Sequence, residues 1–242
     1  MLEDIHIVLV GTTHPGNIGG AARAMRNMGL SRLRLVRPQH FPSAEATARA
    51  SGADAVLNTA RLFDTLEAAV ADCVLVLGTS ARSRSLPLPT LDARTAACTA
   101  VAESARGAVA VVFGREQDGL SNQELGCCTC RVVIPTDPDY SSLNLAAAVQ
   151  VLAYEVRMAA RDAHAAVAPP KVESALATSR DVERLYEHLE QVLQEIGFLD
   201  PAHPRRLMQR LRRLFNRARL DENELAILRG MLSAVQERRP PS

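Results

Sequence analysis

The chain has 242 residues, with 28 basic against 27 acidic, 47% hydrophobic residues, five cysteines and no tryptophan. A chain of this length buries roughly 70% of its unfolded surface, so it needs neither disulfides nor a metal to fold. Its ordinary charged and apolar fractions exclude a disordered or fibrous chain. A net charge of +1 makes no global case for a nucleic-acid partner, although a sum conceals where the charges sit.

Residues 5–10 (Ile-His-Ile-Val-Leu-Val) read as a buried strand. A glycine-rich turn follows, then a helix over about 18–28 that Gly29 closes. Residues 33–36, 73–77, 109–113 and 131–134 supply further strands, and helices near 65–71, 92–105 and 122–126 separate several of them. Strands spaced by helices predict an α/β domain, a parallel sheet with helices on both faces. Leu145, Ala148, Val149, Leu152, Val156 and Ala159 then recur at helical spacing, predicting a long helix to about residue 163. Residues 165–179 carry Pro169-Pro170 and no apolar period and read as a linker. Three amphipathic helices follow, marked by Leu185–Ile196, Leu207–Phe215 and Leu225–Val235 as first and last apolar positions. The expected organisation is a domain over 1–164, a linker over 165–179 and a small all-helical extension over 180–242.

No targeting signal is evident: the first apolar run is short and follows Glu3 and Asp4 instead of a basic segment. No stretch approaches a membrane span. Cys127, Cys128 and Cys130 lack a second cluster or nearby histidines to complete a tetrahedral site, so no metal is expected. The expected setting is the cytoplasm, with reduced thiols.

Four polar loops, three of them containing glycine, follow predicted strands, and the carboxyl ends of such strands are where α/β sheets bind ligands. The first begins as Gly11-Thr-Thr-His-Pro-Gly16 but lacks the lysine and hydroxyl residue of a P-loop, having Asn17 and Ile18 instead. Nucleotide hydrolysis is therefore disfavoured. In the helix start that follows, Asn17 reads either as a cap or as a site residue, and Arg23 either as a solvated cation or as a site residue. The second loop, residues 78–84, carries Arg82 and Arg84; the third, 114–121, carries Glu116. The fourth, 135–144, offers Ser141 or Ser142 as a helix cap or as a site residue. No nucleophile-elbow motif accompanies these serines, so hydrolase chemistry is a weak reading.

Together, Asn17-Ile-Gly-x-x-x-Arg23, Phe113-Gly-Arg-Glu-Gln-Asp-Gly-Leu-Ser121 and Ser142-Leu-Asn144 resemble the three motifs of the SPOUT superfamily of RNA 2′-O-methyltransferases, in order and spacing. The resemblance extends over nearly the whole chain and is strongest to bacterial enzymes acting on tRNA. It implies a deep trefoil knot in the C-terminal part of the sheet, a departure from the general avoidance of threading. It also implies a homodimer and S-adenosylmethionine held in a bent conformation. By motif position, Thr79, Ser80, Ala81, Gly114, Ile134, Ser141, Ser142 and Leu143 would line the cofactor. Asn17, Arg23, Glu116, Ser142 and Asn144 would stand at the reacting centre. The implied substrate is the ribose of a cytidine or uridine at the first anticodon-loop nucleotide of tRNA, position 32. The alternatives are another tRNA site, ribosomal RNA, or a catalytically silent RNA-binding module. One departure is Gly11, which stands where relatives often carry a glutamate.

The chemistry suits these residue types. A sulfonium already activates its methyl group, so alignment of a poorly acidic ribose hydroxyl is the main requirement. Arg23 would bind the adjacent phosphate and stabilise developing negative charge, since a guanidinium is a poor ordinary base. The resemblance implies the alternative that this arginine assists deprotonation of the hydroxyl, and both roles stay open. The tail gives an independent sign of RNA. Arg205, Arg206, Arg210, Arg212, Arg213, Arg217 and Arg219 occur with no acidic residue among them, while the preceding helix carries Glu183, Glu187, Glu190 and Glu195. These seven, with Arg82 and Arg84, are the expected RNA contacts.

Overall fold

The computed structural model describes residues 1–80, 88–165 and 174–237. The chain divides into two compact units, Met1–Pro169 and Pro170–Ser242.

The first unit is built on seven strands: β1 (Ile5–Val10), β2 (Arg32–Val36), β3 (Arg61–Phe63), β4 (Cys73–Thr79), β5 (Thr90–Asp92), β6 (Ala108–Phe113) and β7 (Cys130–Val133). Between and after them lie α1 (Pro15–Asn27), α2 (Ala44–Ala50), α3 (Asp54–Asn58), α4 (Leu66–Val70), α5 (Ala93–Glu103), α6 (Asn122–Gly126) and α7 (Leu145–Ala165). All pairings are parallel, in the order β3-β2-β1-β6-β4-β7-β5.

Both faces are covered, and the strands show it by alternation. Ile5, Ile7 and Leu9 of β1 join Val109, Val111 and Phe113 of β6 in a core with α1, α2, α5 and α7. Val8 and Val10 join Ala110 and Val112 on the opposite face, under Leu66 and Val70 of α4 and Leu125 of α6. Continuous apolar runs are what a parallel strand buried on two faces requires. Close helix packing depends on two glycines of α1. A Cβ at Gly19 would lie 2.1 Å from the Ala46 carbonyl oxygen, and one at Gly20 would lie 2.8 Å from Cβ of Ala146 in α7.

Helix α1 begins at Pro15, three residues earlier than the apolar pattern indicates. Proline suits the first helical position because its fixed φ matches the helix and its missing N–H has no partner to lose there. Asn17 consequently sits in the first turn and is not the cap. Strands β3 and β5 were not expected; each is three residues long and lies at an edge of the sheet.

On the face away from the α1 core, Arg34 of β2 is buried and forms an ion pair with Asp72 at 2.6 Å. It also contacts the His6 ring at 3.1 Å. Burial, followed by the Arg34 charge, drives the His6 imidazole down to about 4. Burial pushes the neighbouring Cys73 thiol up to about 12.

The second unit comprises α8 (Ser179–Glu195), α9 (Leu207–Ala218) and α10 (Glu222–Glu237). Ala177, Leu185 and Leu225 form its buried centre, with Leu228 and Leu232 packed against it. The end of the 165–179 segment is not a free spacer. Leu176 and Ala177 are buried, and Ala177 donates its amide to the Leu220 carbonyl at 3.0 Å. An isolated bridge pairs Leu176 with Asp221, an extended conformation that leaves no helical period in the sequence.

Candidate functional site

The loops following β1, β4, β6 and β7 form a site at the carboxyl ends of the central strands. After β6, residues 115 and 119 close a tight antiparallel bridge, with Gly119 donating its amide to the Arg115 carbonyl at 2.9 Å. Glu116, Gln117 and Asp118 stand at its tip. The bridge is anchored from outside: Arg115 donates to both oxygens of Glu124, at 3.0 and 2.9 Å. Glu124 also accepts from the Ser121 amide at 2.7 Å, while Ser121 Oγ accepts from the Glu124 amide, so Ser121 and Glu124 form a capping box at the start of α6. Burial alone would raise the Glu124 carboxyl, but the Arg115 hydrogen bond and the Ser121 amide outweigh it and hold it below the usual carboxylate range.

This clamp explains Gly11. Its φ is +60°, a left-handed conformation, and a Cβ there would lie 2.9 Å from Arg115 Nε. Gly11 thus lets the Arg115 side chain lie across the turn after β1.

Glu116 joins three elements. Its carboxylate accepts from the Thr13 amide at 3.2 Å, the Thr13 hydroxyl at 3.0 Å, the His14 amide at 3.3 Å and Asn17 Nδ2 at 2.9 Å. Desolvation opposes the charged form, yet Asn17 and the surrounding amides outweigh it, so the carboxyl lies below its ordinary value. Asn17 Oδ1 in turn accepts from Asn144 Nδ2 at 2.9 Å. Asn144 Oδ1 accepts from the Ala146 amide at 2.9 Å, making Asn144 the cap of α7 in place of Ser141 or Ser142. One hydrogen-bonded run therefore links the β6 loop, the first turn of α1 and the start of α7.

Beside it lies a cavity of about 330 Å³. Thr79, Ser80, Gly114, Ile134, Ser141, Ser142 and Leu143 all line it, together with Glu116. Two of its edges are pinned to the sheet: Thr79 Oγ1 donates to the Val112 carbonyl at 3.0 Å, and the Ser80 amide donates to the Val132 carbonyl at 3.0 Å. Ala81, Arg82 and Arg84 lie outside the described residues. Arg23 is exposed on α1, and its guanidinium makes no hydrogen bond or ion pair among the described residues. It is not brought into the Glu116–Asn17–Asn144 run.

Sequence reasoning missed Thr13, His14, Arg115 and Glu124. The spacing Ser121-x-x-Glu124 is a readable capping-box signal. His14 acts through its backbone amide, which leaves no signal in residue type, and Thr13 acts through both its amide and its hydroxyl.

In the helical unit, Arg205, Arg206, Arg210, Arg213 and Arg217 are exposed, and their guanidinium groups form no ion pair among the described residues. Arg205 and Arg206 have φ of 41° and 60°. Arg212 differs. It forms a two-pronged ion pair with Glu183 and lies 4.5 Å over the Tyr186 ring, joining α9 to α8. The Tyr186 hydroxyl donates to Asn216 at 2.7 Å.

An all-parallel sheet covered on both faces, with its loops converging on a cavity at the strand ends, is the architecture of a SpoU-type methylase. Residues 4–154 match the SpoU rRNA methylase family, and residues 180–241 match the C-terminal domain of the tRNA methyltransferase TrmJ. The chain belongs to the SpoU methylase family and, within it, to the TrmJ methyltransferases. It is 54% identical to the tRNA (cytidine/uridine/adenosine-2′-O-)-methyltransferase TrmJ of Pseudomonas aeruginosa, covering 98% of this chain and 95% of that one. Among solved structures, TrmJ from Z. mobilis matches with a TM-score of 0.82 and 35% identity, over 96% of this chain and 98% of that one. The SpoU methyltransferase AviRb from Streptomyces viridochromogenes, solved with AdoMet, shares the fold at a TM-score of 0.53 and 22% identity, over 68% of this chain and 62% of that one.

Proposed function

We propose that the chain transfers a methyl group from S-adenosylmethionine to the ribose 2′-hydroxyl of a cytidine or uridine in tRNA, at the first nucleotide of the anticodon loop. The observation that carries this reading is the hydrogen-bonded run from Glu116 through Asn17 to Asn144, set beside the strand-end cavity.

The cavity fits the cofactor. Its volume lies within the range of small-molecule sites. It combines apolar residues (Phe113, Ile134, Leu145) with the hydroxyls of Thr79, Ser80, Ser141 and Ser142 and the carboxylates of Glu116 and Asp118. That mixture suits a ligand with a flat adenine, a ribose and a positive sulfonium. Thr79, Ser80, Gly114, Ile134, Ser141, Ser142 and Leu143 would hold it, and when bound it supplies an electrophilic methyl group.

The remaining work belongs to the chain's own residues. Glu116 stays charged and fixes the Asn17 amide, and Asn17 fixes Asn144 at the head of α7. A site whose side chains are already oriented spends little of the reaction barrier on alignment. Arg23, exposed and without an ion-pair partner among the described residues, would grip a phosphate next to the target ribose and stabilise the oxygen as it becomes negative. In this reading two knotted chains act together in the cytoplasm. Residues 1–164 carry the reaction and 180–242 bind tRNA through Arg205, Arg206, Arg210, Arg213, Arg217 and Arg219.

The test is to incubate the chain with tRNA and labelled S-adenosylmethionine and map the modified ribose. Label on the 2′-oxygen of the first anticodon-loop nucleotide is expected. Label elsewhere in tRNA would overturn the target, label on ribosomal RNA alone the substrate, and binding without transfer the reaction. Because the Pseudomonas aeruginosa relative is named for adenosine as well, a tRNA with adenosine at the target position forms a further arm.

A further inference from the structure

The helical unit contains a second concavity, of about 380 Å³, whose lining includes Phe198, Asp200, His203, Arg205, Leu207 and Arg210. Its chemistry is divided: an aromatic ring and aliphatic side chains on one hand, two arginines with His203 and the Asp200 carboxylate on the other. None of these residues belongs to the strand-end cavity.

Phe198 is held firmly but not buried. Helix α8 ends in Gly197 at φ +74°, with the Gly197 amide donating to the Gln194 carbonyl at 3.0 Å and the Phe198 amide to the Leu193 carbonyl at 2.9 Å. This is the two-bond Schellman arrangement, in which the residue at the Phe198 position commonly packs back on its helix. Here Leu199 is the buried residue, at 4% exposure, while Phe198 remains 69% exposed. The backbone is fixed and the ring is left out.

The segment beyond is tied down as well. Asp200 accepts from the Ala202 amide at 2.9 Å and lies 3.0 Å from His203 Nδ1, so its carboxylate has local partners other than the arginines. The Arg205 and Arg210 guanidinium groups have no ion-pair partner among the described residues. An exposed ring on a held backbone, beside cations with no ion-pair partner among the described residues, matches the two halves of an unpaired nucleotide, a flat base and an anionic phosphate.

We propose that this concavity binds one unpaired nucleotide of the tRNA, with the base stacked on Phe198 and its phosphate between Arg205 and Arg210. The proposal rests on reading the chain as a tRNA-modifying enzyme and adds a discrete nucleotide subsite to it. An undirected positive surface would need the arginines alone, with no exposed ring among them.

The experiment uses the full chain and measures its affinity for a tRNA transcript across a salt series, with S-adenosylmethionine affinity and thermal stability as controls. Phe198→Ala is expected to weaken tRNA binding about tenfold at unchanged salt slope, since stacking is not ionic. Phe198→Trp should restore it. Replacing Arg205 and Arg210 together by alanine should lower the slope by between about one and two. Cofactor affinity should be unchanged throughout. Wild-type tRNA affinity in Phe198→Ala would overturn the proposal, as would failure of Phe198→Trp to restore binding. Altered self-association of Phe198→Ala at unchanged tRNA affinity would assign the ring to a protein contact and likewise overturn it. A wild-type chain that fails to bind tRNA would instead overturn the parent reading, and this one with it.

Discussion

The strand-end loops and the arginine helix treat charge in opposite ways. At the loops, Glu116 accepts from four donors on Thr13, His14 and Asn17, and Arg115 grips both oxygens of Glu124. In the helical unit, Arg205, Arg206, Arg210, Arg213 and Arg217 carry charge that no acidic residue among those described neutralises. The first pattern makes a rigid site, because oriented groups resist displacement once their partners are fixed. The second leaves its charge in solvent, open to a partner bearing phosphates. Pairing, more than net charge, separates a scaffold from a contact surface. Two arginines cross the divide. Arg23 belongs to the first unit but is exposed and without an ion-pair partner among the described residues, while Arg212 belongs to the second but is held by Glu183 and Tyr186.

The sharpest way to break this division is Arg23→Ala. If Arg23 is kept free for the transferring centre, kcat should fall by about 10²–10³-fold, the usual cost of losing one donor to developing charge. Thermal stability and S-adenosylmethionine affinity should match the wild type in a melting scan and a cofactor titration. A large drop in melting temperature would place Arg23 among the structural arginines instead.

Glu124→Gln probes the opposite class, with a smaller effect. The substitution keeps the shape but strips Arg115 of its ionic partner, and should cost about 2 kcal/mol in urea unfolding. Turnover should fall only about tenfold, because the loop bearing Glu116 loosens without losing a reacting group. The acid limb sharpens the point. Glu116 and Glu124 are held below their ordinary value of 4.5, so their stabilisation is intact above that pH and is lost as pH falls through and below it. Glu124→Gln should flatten that part of the stability–pH curve, and an unchanged curve would remove the clamp from the account.

The central strands were legible because burial on both faces leaves a mark every residue must carry. Ile5, Ile7 and Leu9 serve one core and Val8 and Val10 the other, so β1 reads as an apolar run interrupted only by His6. Strands β3 and β5 left no such mark, being three residues long at the sheet edges. Nor could local pattern place β6 between β1 and β4, an order set by pairing between distant segments. The site loops were legible as polar segments after strands, three of them containing glycine, and motif resemblance joined them. Their internal wiring was not, since the Thr13–Glu116 contact spans 103 positions and works partly through a backbone amide. Asn144 was legible as a site residue, but its double task of bonding Asn17 and capping α7 depends on two loops meeting.

The seven-arginine run shows the same limit at its smallest scale. Arg212 and Arg213 are adjacent and indistinguishable by composition, yet successive helical residues point about 100° apart. Arg212 thereby meets Glu183 and the Tyr186 ring, while Arg213 faces solvent. Arg213→Ala should reduce the salt slope of tRNA binding by about one, with no change in melting temperature. Since each phosphate contact contributes about 0.9 to that slope, a fourfold rise in salt weakens a single contact roughly threefold, a difference a salt series resolves. Arg212→Ala should leave the slope intact and lower stability by about 1 kcal/mol, through loss of the ion pair and the ring contact. Equal slope changes in the two variants would mean that the run acts as one diffuse charge, and that the helix face on which an arginine sits does not decide its task.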